Sequence, residues 1–142
     1  MLVTFQAHHF PSYQDWFSDA SLAKYLGPVD EEWLQCVLEE KDGAQYAMLD
    51  NGNLVGVAGV KHPTSDHPYY VLTDIAIAPQ ERKKGYGAKL LKALYEQYHD
   101  LYWLCYIDLD NSSAIAFFTR QGWQEEPSKS DAEMLAFRYP RA

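Results

Sequence analysis

Arg82-Lys83-Lys84-Gly85-Tyr86-Gly87 is the stretch of this 142-residue chain whose residue types and spacing bear most directly on chemistry. Five of the chain's 12 lysines and arginines (Arg82, Lys83, Lys84, Lys89 and Lys92) fall between positions 82 and 92, with no acid among them. The stretch separates a strand-like run, Tyr70 to Ile77, from a helix-like run, Ala88 to Tyr98. Free N–H groups in the first turn of a helix point along its positive dipole end and stabilise an anion such as a phosphate. Gly85 and Gly87 lack a Cβ, so the backbone can turn tightly and approach that anion. A Walker loop is excluded because no Gly-Lys-Ser/Thr ending follows. A dinucleotide fingerprint is excluded because the third glycine is missing and the loop does not follow the first strand of a βαβ unit.

The elements that must position this loop follow from pattern. Val3 and Phe5 alternate with polar neighbours and predict a short first strand. Pro11 suits the first turn of a helix running through Trp16 and Phe17, and Gly27-Pro28 breaks the chain. Asp30 caps a second helix carrying Trp33, Leu34, Val37 and Leu38 at helical spacing. Gln45 to Leu49 and Leu54 to Val60 form a hairpin around Asp50-Asn51-Gly52-Asn53, since Asn-Gly favours a type I′ turn. Lys61 to Pro68 reads as a loop and Tyr69 to Ile77 as a strand. The helix after the basic loop presents Leu90, Leu91, Leu94 and Tyr98 on one face. Tyr102 to Leu109 is a strand, Asn111 caps a helix over Ala114 to Arg120 that ends at Gly122, and Met134 to Tyr139 is a last strand. The order β-α-α-β-β-β-α-β-α-β(β) predicts an α/β layered domain (α+β in its strand pairing) with a mostly antiparallel sheet.

Length predicts one domain over residues 1–142. The formal charge of −8 disfavours nucleic acid as a partner, which needs a basic footprint. No apolar run is long enough to span a bilayer, and the first residues lack a signal-type core, so no membrane partner and a cytoplasmic location are expected. Cys36 and Cys105 form no paired motif and read as reduced, buried thiols. His8-His9, His62 and His67 have no metal spacing with cysteines or acids, so no metal is expected. His62 and His67 flank a Pro-rich loop before the key strand, where they either line an acceptor cleft or sit exposed.

Asp74-Ile75-Ala76-Ile77-Ala78-Pro79, then Arg82-x-x-Gly85-x-Gly87, then Leu90-Leu91, resembles the acetyl-coenzyme-A motif of the GNAT N-acetyltransferase superfamily. Asn111-x-x-Ala114-x-x-Phe117-Phe118, ending in Gly122-Trp123, resembles the strand-helix segment that follows in that superfamily. The hairpin with Leu54-Val55-Gly56 also fits. The match is specific over residues 70–123 and loose over residues 1–44. The resemblance implies a mixed, mostly antiparallel sheet of about six to seven strands flanked by about four helices. It implies acetyl-CoA as co-substrate, an amine acceptor, and often a homodimer. Backbone groups of Ile75, Ala76 and Ile77 are then expected to pair with the pantetheine arm as an added strand. A backbone N–H there would polarise the thioester carbonyl. Amides of Arg82, Lys83, Lys84, Gly85, Tyr86, Gly87 and Ala88 are expected around the pyrophosphate, and Asn111 beside the pantetheine arm.

Direct attack needs a neutral amine, and an alkyl amine with a pKa of about 10 must first give up a proton. Many superfamily members place a Tyr seven residues after the Asn to protonate the leaving thiolate. Here that position is Phe118, which cannot donate. Another residue donates (Tyr106 first, Tyr86 second), solvent donates, or the chain does not catalyse. The matching positions for a glutamate base hold Tyr106 and Val71. The remaining base candidates are Asp74 and Asp108, and strand alternation places Leu104, Tyr106 and Asp108 on one face. Tyr13, Asp15, Trp16, Asp19, Tyr25, Asp30, Glu31, Glu32 and Trp33 mark the early helices as either an aromatic, acidic acceptor pocket or a solvated face over core tryptophans. The expected activity is acetyl transfer from acetyl-CoA to a small-molecule primary amine. The rivals are a non-catalytic acyl-CoA-binding domain and a protein N-terminal or lysine acetyltransferase.

Overall fold

The computed structural model, which describes residues 1–140, joins seven strands in one sheet. The strands are β1 (Leu2–Thr4), β2 (Gly43–Asp50), β3 (Asn53–Lys61), β4 (Tyr70–Ile77), β5 (Trp103–Asp108), β6 (Gln124–Glu125) and β7 (Met134–Tyr139). The helices are α1 (Phe10–Asp15), α2 (Ala20–Leu26), α3 (Glu31–Glu39), α4 (Tyr86–Gln97) and α5 (Ser112–Arg120). The sheet order is β1-β2-β3-β4-β5-β7-β6, and every neighbouring pair is antiparallel except β4 and β5.

Two apolar layers hold the helices on opposite faces. Phe5, Phe10, Tyr13, Trp16, Leu22 and Val29 pack with Ala47, Val57 and Ala76, which puts α1 to α3 on one face. Leu90, Leu91 and Leu94 of α4 and Phe118 of α5 pack with Val60, Leu72, Trp103, Cys105 and Ile107 on the other. The β2–β3 turn is of the expected type, with Asn51 and Gly52 both at positive φ (52° and 79°).

The first helix departs from expectation. The run through Trp16 and Phe17 breaks after a 3-10 turn at Trp16–Ser18, and a separate α2 follows. The cause is Asp19, whose carboxylate accepts the Leu22 N–H at 3.2 Å and so starts a new helix. Asp30 caps α3 as read, accepting the Trp33 N–H at 2.9 Å. Cys36, expected inside, is exposed on α3, as is Leu38, because α3 turns only Trp33, Leu34 and Val37 toward the core. Cys105 is buried. Among the described residues no helix is long and apolar enough to cross a membrane, and no group of three or more His, Cys, Asp or Glu could hold a metal ion.

Candidate active site

The site begins where two strands part. β4 and β5 pair only through Tyr70 with Trp103 and Val71 with Leu104. Beyond that, a bulge disturbs β4: Gly59 faces Asp74 and Val60 faces Leu72, so Thr73 is left over. A bulge bends its strand and sharpens the twist. From Leu72 onward β4 therefore presents an edge with no partner on its β5 side, and a cavity of about 760 Å³ fills the gap.

At one end of the cavity lies the basic loop. Lys83 and Gly85 take positive φ (66° and 84°), curling the chain into α4. Gly85 stands at the helix N-cap and no side chain caps it, so the first-turn N–H groups stay open toward the cavity. A Cβ at Gly85 meets no atom within 4 Å, whereas one at Gly87 would lie 2.9 Å from the Phe117 ring. Gly87 thus serves the packing of α4 on α5, not only the approach of an anion. Ile75, Ala76, Ile77, Arg82, Lys83, Gly85, Tyr86, Gly87, Ala88, Asn111 and Phe118 all border the cavity. Lys84 does not; its Nζ pairs with Glu81 at 2.8 Å, three residues back along the chain. Asn111 caps α5 by accepting the Ala114 N–H at 3.3 Å.

α2 straps the cavity, a feature missed in the sequence. At one end Arg82 donates two hydrogen bonds to Asp19, at 3.1 and 2.9 Å. At the other end Lys24 Nζ pairs with Asp110 at 2.8 Å, and the Tyr25 hydroxyl donates to the Asp110 carbonyl at 3.3 Å. Leu22, Tyr25 and Leu26 form the wall between. The Asp19 carboxyl is held well below the usual carboxylate range, first by Arg82 and then by Ser21 and the Leu22 N–H. A folded pKa below the unfolded value contributes stability that is present above a pH of about 4 and fades as pH falls through the lowered value. Asp19→Ala removes an N-cap worth about 1 kcal/mol and is expected to lower the melting temperature by about 2–4 °C at neutral pH. The difference should narrow as pH falls, which a pH series of thermal melts checks.

Asp74 sits on the same face as Ala76, under α1, and reaches the cavity. Its carboxylate accepts from Gln45 Nε2 at 2.8 Å and from Thr73 Oγ1 at 2.8 Å. A Cβ at Gly59 would fall 2.3 Å from both Asp74 Oδ1 and Thr73 Oγ1, so the bare glycine provides the space for this carboxylate. Burial pushes the Asp74 pKa up, and the two hydrogen bonds oppose that only in part.

Tyr106 and Asp108 both border the cavity from β5, on the face that alternation assigned. Tyr106 is 42% exposed. Its pKa is raised, first by burial and then by the neighbouring Tyr69. Tyr86 is withdrawn as an acid candidate: its hydroxyl donates to Asp50 on the β2–β3 turn. Phe118 is buried against Trp123, ring centroids 5.1 Å apart.

Of the early aromatic and acidic residues, only Tyr25 borders the cavity. Tyr13 and Trp16 are core residues, Trp33 packs edge-on against Phe5, and Asp19 and Asp30 are caps. The histidines are also elsewhere: His62 lies against Tyr98 and His67 against Tyr69, and neither reaches the cavity.

Known proteins share this arrangement. An acetyltransferase from Thermus thermophilus superposes with a TM-score of 0.84 at 16% identity, over 99% of this chain and 96% of that one. Spermidine N-acetyltransferase from Vibrio cholerae, in complex with CoA and spermine, gives 0.78 at 14% identity, over 97% and 93%. PaiA N-acetyltransferase from Thermoplasma acidophilum, in complex with coenzyme A, gives 0.72 at 14% identity, over 97% and 96%. No curated protein matches in sequence. These likenesses are of fold. The sequence model described as the acetyltransferase (GNAT) family matches residues 9–123, through the bulged strand, the basic loop and α5, and the chain belongs to that family.

Proposed function

We propose that this chain transfers an acetyl group from acetyl-CoA to the primary amine of a small molecule, by direct attack within the β4–β5 cleft. The unpartnered edge of β4 running into the uncapped N-terminus of α4 carries this reading. The backbone of Ile75 to Ile77 offers N–H and C=O groups to an extended, amide-bearing arm, as an added strand would. The open amides of Gly85 to Ala88, with Arg82 and Lys83 nearby, suit a pyrophosphate. Bound there, acetyl-CoA supplies an acyl thioester whose carbonyl a neutral amine can attack. Asp74 is the base, because burial keeps its carboxylate more basic than usual and it borders the cavity. Tyr106 is the proton donor, since it brings a phenolic O–H to the border of the cavity. Asp108 adds negative charge that draws the ammonium form of the acceptor into the cleft.

Incubation with acetyl-CoA and a panel of amines, with thiol release as the readout, tests the reading. Turnover of any amine supports it. Coenzyme A binding without turnover would favour the binding-module alternative, to which the apolar Phe118 points. Tyr106→Phe is expected to lower kcat at least tenfold, toward the low end of what a general acid contributes. Phe118→Tyr in that background should restore part of it; steady-state kinetics on the two variants gives the answer.

A further inference from the structure

The face of the sheet beside the cleft carries a second group of residues that the proposed reaction does not use. The apolar layer under α1 to α3 takes sheet residues no further across than Ala76 of β4. Beyond it, Tyr69 and Tyr102 lie with ring centroids 5.2 Å apart, near Tyr106 at the cavity wall. Two cations lie on these rings: Lys129 Nζ is 5.4 Å from the Tyr69 centroid, and Arg138 Cζ is 3.8 Å from that of Tyr102. Strand register keeps Arg138 next to the site, since it pairs with Leu104 while Ala136 pairs with Tyr106.

The ion pairs among the described residues are Lys24 with Asp110, Arg82 with Asp19 and Lys84 with Glu81, and among those residues neither Lys129 nor Arg138 is in an ion pair. Arg138 Nε is buried and has no hydrogen-bond partner among the described residues. A planar guanidinium centred 3.8 Å from a ring keeps its terminal N–H groups for a carboxylate. Asp74 and Asp108 line the other part of the same region. The cavity is thus acidic where the amine reacts, and the two cations lie beside it, outside its lining, on Tyr69 and Tyr102.

We propose that Lys129 and Arg138 form a carboxylate-binding subsite, and that the acceptor carries an amine at one end and a carboxylate at the other. This rests on the amine-acceptor reading and narrows it. Tyr106 faces Ala136 and Asp108 faces Met134 on β7. Arg138 is thus two to four residues further along the strand, about 7 to 14 Å. An α-amino acid is too short to bridge that separation, whereas an extended tripeptide spans about 10 Å. The substrate class is a short peptide or a long-chain amino acid with its two charges at opposite ends. A polyamine, cationic throughout, does not fit the basic end.

Triglycine and triglycinamide differ only in the terminal carboxylate and serve as probes. Calorimetric titration of the coenzyme-A-saturated protein is expected to show triglycine binding about tenfold more tightly than triglycinamide, one charge-assisted contact's worth. Net protein charge acts in the opposite direction, so the preference requires a local cation. Lys129→Gln and Arg138→Gln should each shrink the preference to below about threefold. Lys129 is exposed, so that variant carries the test if Arg138→Gln fails to fold. Equal binding of the two probes, absent triglycine binding, or a preference that survives Lys129→Gln would overturn the subsite. Because the readout is binding, the two readings fail separately. Triglycine preference without thiol release on any amine removes the acetyl transfer and keeps the subsite. Acetylation of spermidine and triglycinamide with no triglycine preference does the reverse.

Discussion

Asp74→Asn is expected to lower kcat/KM for amine acetylation about a hundredfold or more, the scale of a lost general base. The wild-type profile should show an acid limb above the ordinary carboxylate range, rising as Asp74 loses its proton, because burial raises its pKa. The variant should lack that limb. Stability should move the other way. A folded pKa raised above the unfolded value means the fold disfavours the charged form, so Asp74 costs stability as pH rises past the unfolded value of about 4. The asparagine amide can accept from Thr73 and exchange hydrogen bonds with a rotated Gln45 amide. The melting temperature at neutral pH should therefore hold or rise while activity collapses. A residue kept only for folding would behave oppositely. Gly59→Ala gives an independent check, since its Cβ would crowd the same carboxylate at 2.3 Å. It should depress kcat/KM without touching Asp74 itself.

Much of this site is readable from sequence because it is local. Asn51-Gly52 fixes its own turn, Asn111 caps the helix it begins, and the basic residues of the loop crowd one short stretch. The cleft is not local. It depends on Thr73 being squeezed out of register between β3 and β4, which no pattern within β4 reveals. The Asp74 pocket joins Gln45, Gly59 and Thr73 from three strands, and only the sheet register brings them together. Tyr86 looks like a site hydroxyl by position, yet Asp50, on the far hairpin, takes it. The α2 strap had one local signal, Asp19 ahead of an uninterrupted Ala20–Leu26 run, but its ties to Arg82 and Asp110 span most of the chain. The early helices stay open in sequence between an aromatic, acidic acceptor pocket and a solvated face over core tryptophans for a related reason. Periodicity says that a tryptophan faces something, but not whether that is a ligand or the core.

Gly85→Glu is the second large effect. Residue 85 holds φ at +84°, where a side chain costs about 1–2 kcal/mol. Because a Cβ there meets no protein atom within 4 Å, the fold itself is not crowded. The damage falls on the anion: a carboxylate is placed at the uncapped helix N-terminus, where it both competes for the open N–H groups and repels the pyrophosphate. A loss of about 3 kcal/mol or more, at least a hundredfold in affinity, follows from replacing a charge-assisted contact by a like-charge one. That backbone cost should lower the melting temperature by only a few degrees, with the fold retained, so folding and binding are separable.

Isothermal titration of the wild-type chain and Gly85→Glu with coenzyme A, in parallel, tests the central claim most directly. The expected result is saturable binding to the wild type with one site per chain, and a loss of at least about a hundredfold in the variant. Failure of the wild type to bind coenzyme A, or equal affinity in the two proteins, would contradict it.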